Sequence, residues 1–127
     1  MKDITLIKSL VLTYFEGVDT KDFQKIKETL DENCRITVET HGIELIGYSD
    51  IQAMFSNLWD DHLSVLHKDF KFIADPKNNK IATQFNVVNT LKNGNIVKKS
   101  NCNFFILKGN RFKEINIYMS GINTLFI

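Results

Sequence analysis

Ile81-Ala82-Thr83-Gln84-Phe85-Asn86-Val87-Val88-Asn89-Thr90-Leu91-Lys92-Asn93-Gly94 is the stretch on which the fold turns. Its period of two puts Ile81, Thr83, Phe85, Val87, Asn89 and Leu91 on one face and Ala82, Gln84, Asn86, Val88 and Thr90 on the other, the spacing of a long strand. Asn93-Gly94 closes it with two residues that tolerate positive φ, the strongest short hairpin signal. Beyond that turn, residues 96 to 107 form a second strand. It is apolar on both parities around Phe104-Phe105-Ile106-Leu107, which predicts burial on both faces. Gly109-Asn110 turns the chain again, and residues 111 to 120 alternate, with Ile115, Ile117 and Met119 opposite Glu114, Asn116 and Tyr118. Upstream, residues 64 to 74 hold Phe70, Phe72 and Ala74 on one parity and lead through Asp75-Pro76-Lys77-Asn78-Asn79 into the quoted strand. The second half of the chain therefore reads as a four-stranded meander.

The first half has the helical period instead. Ile4, Ile7, Val11, Tyr14, Phe15 and Val18 share one face, with Asp3 placed to cap the start and Asp19-Thr20 breaking the helix. A second short helix turns Phe23, Ile26 and Leu30 inward and ends at Asp31-Glu32-Asn33. Residues 34 to 39 alternate as a half-buried strand, turned by His41-Gly42 into Ile43 to Ile46. Ser49 with Gln52 three residues later predicts a capping box for a third helix, whose buried stripe is Ile51, Met54, Phe55, Leu58 and Trp59. Helix, helix, hairpin, helix and meander make an α+β layout. One sheet face packs on the helices. The other carries apolar residues as well, and a homodimer through the sheet covers them most economically.

The chain has 127 residues, enough for a single domain spanning 1–127. It is 43% hydrophobic and 24% charged with a formal net charge of +1, so no basic surface invites nucleic acid or an anionic membrane. Ten Phe residues supply apolar area without a polar handle, which suits a thick core or an apolar cavity. No run reaches the roughly 18 apolar residues that span a bilayer, and Met1-Lys2-Asp3 carries an acid with no continuous apolar stretch behind it, so no signal peptide is expected. Cys34 and Cys102 lack metal or redox spacing and read as free thiols in a reducing cytoplasm.

Several passages resemble the nuclear transport factor 2-like superfamily, in particular its SnoaL-like and ketosteroid isomerase-like branch. They are Tyr14-Phe15-Glu16-Gly17-Val18-Asp19 with Asp22-Phe23, Leu30 to Val38, Gly47-Tyr48-Ser49-Asp50-Ile51, and Asn103 to Phe112. The resemblance covers nearly the whole chain. It implies a cone-shaped α+β barrel (cystatin-like), with three N-terminal helices packed on a strongly bent, mixed but mostly antiparallel sheet around a deep apolar pocket. It also implies a dimer. In isomerase-like members a carboxylate moves a proton beside a carbonyl while a Tyr and a protonated acid stabilise the enolate. Position by position, the tyrosine falls on Tyr14, the general base on Val38 next to Glu39, the protonated acid on Cys102, and the late-strand aspartate of cyclase-like members near Ile117. The usual carboxylate positions are thus uncharged, and a one-residue slip or bulge would turn Glu39 inward.

Tyr14, Glu39 and His67 are the candidate catalytic residues. Tyr14 is either a donor to a ligand oxygen or a core tyrosine; Glu39, paired with Glu44 across the hairpin, is either an acid or base or a solvated surface group. His67, on the third strand, is the histidine best placed for a cavity, with His41 in a turn and His62 at an exposed helix end. Asp60-Asp61-His62 with His67 matches no known metal spacing, so neither a metal nor another cofactor is expected. The expected wall is Val38, Met54, Phe55, Phe85 and Val87, completed by Cys102, Phe104, Ile115, Ile117 and Met119 together with Tyr14. Cys102 lacks a neighbouring base and reads as an inert thiol, Lys98-Lys99 and Lys108 as exposed charges, and Asn86, Asn89 and Asn103 equally as pocket or surface amides. Three functions stay open. The first is a binder of a small apolar or carbonyl-bearing molecule, anchored by Tyr14. The second is an isomerase, cyclase or dehydratase with Glu39 or His67 as base. The third is a non-catalytic interaction subunit with a Phe-filled interior.

Overall fold

The computed structural model describes residues 3–122 and Leu125. Three helices, α1 (Ile4–Asp19), α2 (Phe23–Thr29) and α3 (Gly47–Asp61), lie against one six-stranded sheet of β1 (Leu30–Val38), β2 (Ile43–Ile46), β3 (His62–Asp75), β4 (Lys80–Leu91), β5 (Ile96–Lys108) and β6 (Arg111–Tyr118). The strand order is β2-β1-β6-β5-β4-β3. All pairs are antiparallel except β1 with β6, which run parallel because the chain crosses from the hairpin through α3 and the meander before returning. This is the mixed, mostly antiparallel cone of an α+β fold.

Local chemistry explains most element boundaries. Asp3 caps α1 by accepting from the Thr5 N–H at 2.9 Å, and Asp22 caps α2 through the Lys25 N–H at 3.2 Å. Gly94 takes φ +89 in the β4–β5 hairpin, a conformation that a side chain disfavours. Gly17 is required for a different reason: a Cβ there would lie 2.7 Å from Ile26 Cγ1, so α1 and α2 approach each other only across a bare backbone. The sheet bends at register shifts, notably between Lys68 and Lys71 on β3, where Asp69 sits at φ +57.

Several sequence expectations are corrected. Strand β1 starts at Leu30, not after Asn33, and Glu39 leaves the strand for a 3-10 turn, Glu39–His41. Helix α3 starts at Gly47, so Ser49 lies within its first turn and the expected capping box is absent. His62 is buried, its Nδ1 2.6 Å from the Leu58 carbonyl, and does not mark an exposed helix end. On β5 the expected two-sided burial resolves into one face: Phe105 and Leu107 are buried while Phe104 is 47% exposed.

The core lies between the helices and the concave face of the sheet. Its aromatic centre is Tyr14, ringed edge-on by Phe15 (5.0 Å), Phe55 (6.1 Å), Phe105 (5.6 Å) and Phe112 (6.4 Å). Edge-to-face packing favours these pairs beyond the area they bury. Among the described residues, no helix is long and apolar enough to cross a membrane.

Candidate functional site

The aromatic side chains packed inside do not quite fill the cone. A cavity of about 40 Å³ remains between α1, α3 and the strands β3 to β6, walled by Phe15, Val18, Leu58, Phe85 and Ile117, with Met119 and Leu125 also lining it. Tyr14, His67, Asn89, Asn101 and Asn103 bring the polar groups to it. Among the described residues, no Lys, Arg, Asp or Glu lines it.

His67 is the titratable group with the most developed surroundings. Strand β3 opposes Val87 at this position and turns the imidazole inward, 4.9 Å from the Phe15 ring and 5.6 Å from that of Phe85. Asp19, at the C-terminal end of α1, accepts twice from it. The His67 backbone N–H donates to Oδ2 at 3.0 Å, and Nδ1 lies 2.5 Å from Oδ1. A carboxylate only accepts, so Nδ1 carries a proton, and in the neutral form of the ring the lone pair is on Nε2. Asp19 thereby fixes both the tautomer and the ring plane, as a positioned general base requires.

Tyr14 is 2% exposed. Burial, with Cys34 nearby, raises its phenol well above the ordinary tyrosine range, so the hydroxyl is a neutral donor at any physiological pH. Cys34 is itself pushed up to about 12 by burial and then by Asp31 and Glu114, and stays a thiol. Neither group ionises to act as a nucleophile near neutrality.

A run of hydrogen bonds ties down the backbone at Ser120, Ile122 and Leu125, next to the cavity. Lys99, expected at the surface, is 6% exposed, and its Nζ donates to the carbonyls of Ser120 and Ile122. Burial holds its ammonium below the ordinary lysine range. Ser120 N–H donates to Asn101 Oδ1 at 3.1 Å, and Asn57 Nδ2 donates to the Leu125 carbonyl at 2.9 Å.

Of the expected wall, Tyr14, Met54, Phe55, Phe85, Val87, Ile117 and Met119 reach the cavity, as does His67. Val38 and Ile115 are wholly buried in the core next to it and do not line it. Cys102 and Phe104 are corrected: both face the convex side of β5, and the inward positions beside them are Asn101 and Asn103. Glu39 is exposed in its 3-10 turn and is not a candidate base. Asn86 is exposed and donates to Asp69 Oδ2 at 3.1 Å. Sequence reading missed Asp19 as a site residue. Its signal was an acid in the last turn of a helix, against the macrodipole. Among the described residues, no three of His, Cys, Asp and Glu converge as a metal site.

The helices and the strand order are those of the nuclear transport factor 2-like fold, which solved SnoaL-like structures share. A candidate polyketide cyclase of Xanthomonas campestris superposes with a TM-score of 0.83 at 15% identity, covering 90% of each chain. A nuclear transport factor 2-like protein of Anabaena variabilis superposes at 0.81 and 13% identity, over 98% of this chain and 97% of its own. TerC, co-crystallised with polyporic acid, superposes at 0.77 and 9% identity, over 88% of this chain and 89% of its own. No family model and no curated protein matches the sequence.

Proposed function

We propose that this protein binds a small, uncharged, largely apolar molecule bearing a carbonyl and moves a proton beside that carbonyl, with His67 as base and Tyr14 as donor to the oxygen. The observation that carries the reading is the 2.5 Å contact of His67 Nδ1 with Asp19, which leaves Nε2 as the basic nitrogen of a ring on the cavity wall. A neutral phenol on the same wall suits a developing enolate. The protein co-crystallised with polyporic acid supports this reading by analogy of fold alone. The cavity is smaller than the ~150 Å³ in which a buried apolar site takes benzene, so even a one-ring ligand needs Met119 and Leu125 to give way. That size also favours a second reading, a non-catalytic subunit whose interior is essentially filled.

Deuterium exchange separates the two. The wild type should accelerate α-exchange of cyclohexanone in D₂O, followed by proton NMR, and His67→Ala should remove the acceleration. Exchange at the buffer rate with wild type would support the filled interior.

We also infer a homodimer through the convex face, in the same cytoplasmic setting that the free thiols suggest. Phe104 and Tyr118 are exposed there and meet edge-on at 5.8 Å, next to the half-buried Cys102 and Ile106. Sedimentation should give a dimer that Phe104→Asp dissociates; a monomeric wild type contradicts it.

A further inference from the structure

We propose that Asn103 selects the ligand: its carboxamide accepts a hydrogen bond from a hydroxyl or N–H on an uncharged, carbonyl-bearing molecule in the cavity. The proposal rests on the cavity reading above and adds a substrate class, hydroxylated carbonyl compounds in preference to their ethers or hydrocarbons. Asn103 lies near the middle of β5, between Thr83 on β4 and Ile117 on β6. Pairing with both neighbouring strands fixes its backbone and so holds the side chain on the buried face of β5. It is 2% exposed and lines the cavity, yet its Oδ1 has no hydrogen-bond partner among the described residues. A buried acceptor left unmade costs folding free energy, and such a group in the wall of a cavity points to a ligand that satisfies it. Its neighbour Asn101 shows the contrast, because Asn101 Oδ1 is occupied by the Ser120 N–H.

The charge pattern narrows the class. Among the described residues, no cationic side chain lines the cavity, and the buried ammonium of Lys99 is engaged by the carbonyls of Ser120 and Ile122. A carboxylate or phosphate would be stripped of water there without a counter-charge. Among the polar groups that reach the site, the Tyr14 phenol can donate, a neutral His67 ring can accept, and Asn103 Oδ1 is an acceptor without a partner among the described residues. A ligand that meets all three has an acceptor oxygen and a donor on one apolar frame.

The test uses phenol and anisole, which differ in that only phenol donates, with affinities from ligand-observed NMR on the wild type and Asn103→Leu. Wild type should bind phenol roughly fivefold tighter than anisole, the ratio expected of one neutral hydrogen bond, and the variant should bind both within about twofold. The variant should also melt no lower than wild type, because the change removes an unsatisfied group and keeps the branched shape, the extra bulk of leucine entering the cavity. Equal wild-type affinity for the two probes, or a preference that survives in Asn103→Leu, overturns the assignment and leaves the cavity reading intact. A variant that melts well below wild type or fails to fold makes the carboxamide structural and also overturns it. If neither probe binds wild type, the assignment and the cavity reading fall together.

Discussion

Replacing Asp19 by Asn should invert the tautomer of His67. The wild-type carboxylate faces two donors, the His67 backbone N–H at 3.0 Å and Nδ1 at 2.5 Å. An amide has one oxygen and one NH₂ and cannot accept from both. The backbone N–H is fixed by the chain, so the amide oxygen goes to it and the NH₂ faces the ring. Nδ1 must then accept, and the proton moves to Nε2, which turns the basic nitrogen of this cavity-lining ring into a donor. The energetic cost is the difference between a hydrogen bond to a charged group and a neutral one, about 1 kcal/mol. The two side chains are 13% and 18% exposed, so solvent screening trims this only slightly. For a chain of this length, that loss lowers the melting temperature by roughly 3–6 °C. Long-range proton–nitrogen correlation spectra of histidine-labelled protein report which ring nitrogen carries the proton. The expected outcome is Nδ1–H in wild type and Nε2–H in Asp19→Asn, with α-exchange of cyclohexanone lost. An Nδ1–H in the variant with unchanged melting would refute the orienting role of Asp19.

Three further outcomes are expected. Gly17→Ala places a methyl 2.7 Å from Ile26 Cγ1 and 3.0 Å from the Ile26 nitrogen, forcing α1 from α2, and denaturant unfolding should show a loss of roughly 1–3 kcal/mol. Cys34 keeps its proton to about 12 in the fold against 9.0 in the reference state, so its contribution is fully present below pH 9 and is lost as pH rises through the folded value. Denaturant melts should therefore show stability falling above pH 9 by up to about 1.4 kcal/mol per pH unit from this group, and Cys34→Ala should flatten that slope. Lys99→Met cuts the ties to Ser120 and Ile122, so amide exchange at Ser120 should quicken and the neutral dye N-phenyl-1-naphthylamine should bind more tightly; unchanged exchange would show that Lys99 does not hold this segment.

The fold was legible because local and long-range signals agree in most of the chain. Along β4 the alternation of Phe85, Val87 and Asn89 with Gln84, Asn86 and Val88 leaves one register that buries the right face, and Asn93-Gly94 supplies the turn. Strand β5 was less legible. Cys102, Phe104 and Ile106 make as good an apolar face as Phe105 and Leu107, and three polar residues, Lys99, Asn101 and Asn103, occupy the buried parity. Pairing of Phe85 with Asn101 decides the matter, and that register depends on the rest of the sheet. A pattern broken by buried polar groups is what a functional cavity imposes on a strand. The site was only partly legible for a related reason. Asp19 and His67 are far apart in sequence, and only the packing of α1 on β3 joins them. Glu39 failed as a candidate because β1 ends one residue early, an outcome set by the turn and not by the alternation.

The most direct test of a ligand-accepting cavity is methyl NMR of protein labelled at the methionine Cε, titrated with cyclohexanone. Met54 and Met119 approach the cavity from α3 and from the end of β6, so both resonances should move together and saturate with one dissociation constant. If neither moves at concentrations where the ketone is in large excess, the interior is closed to such molecules and the proposed chemistry at His67 has no substrate.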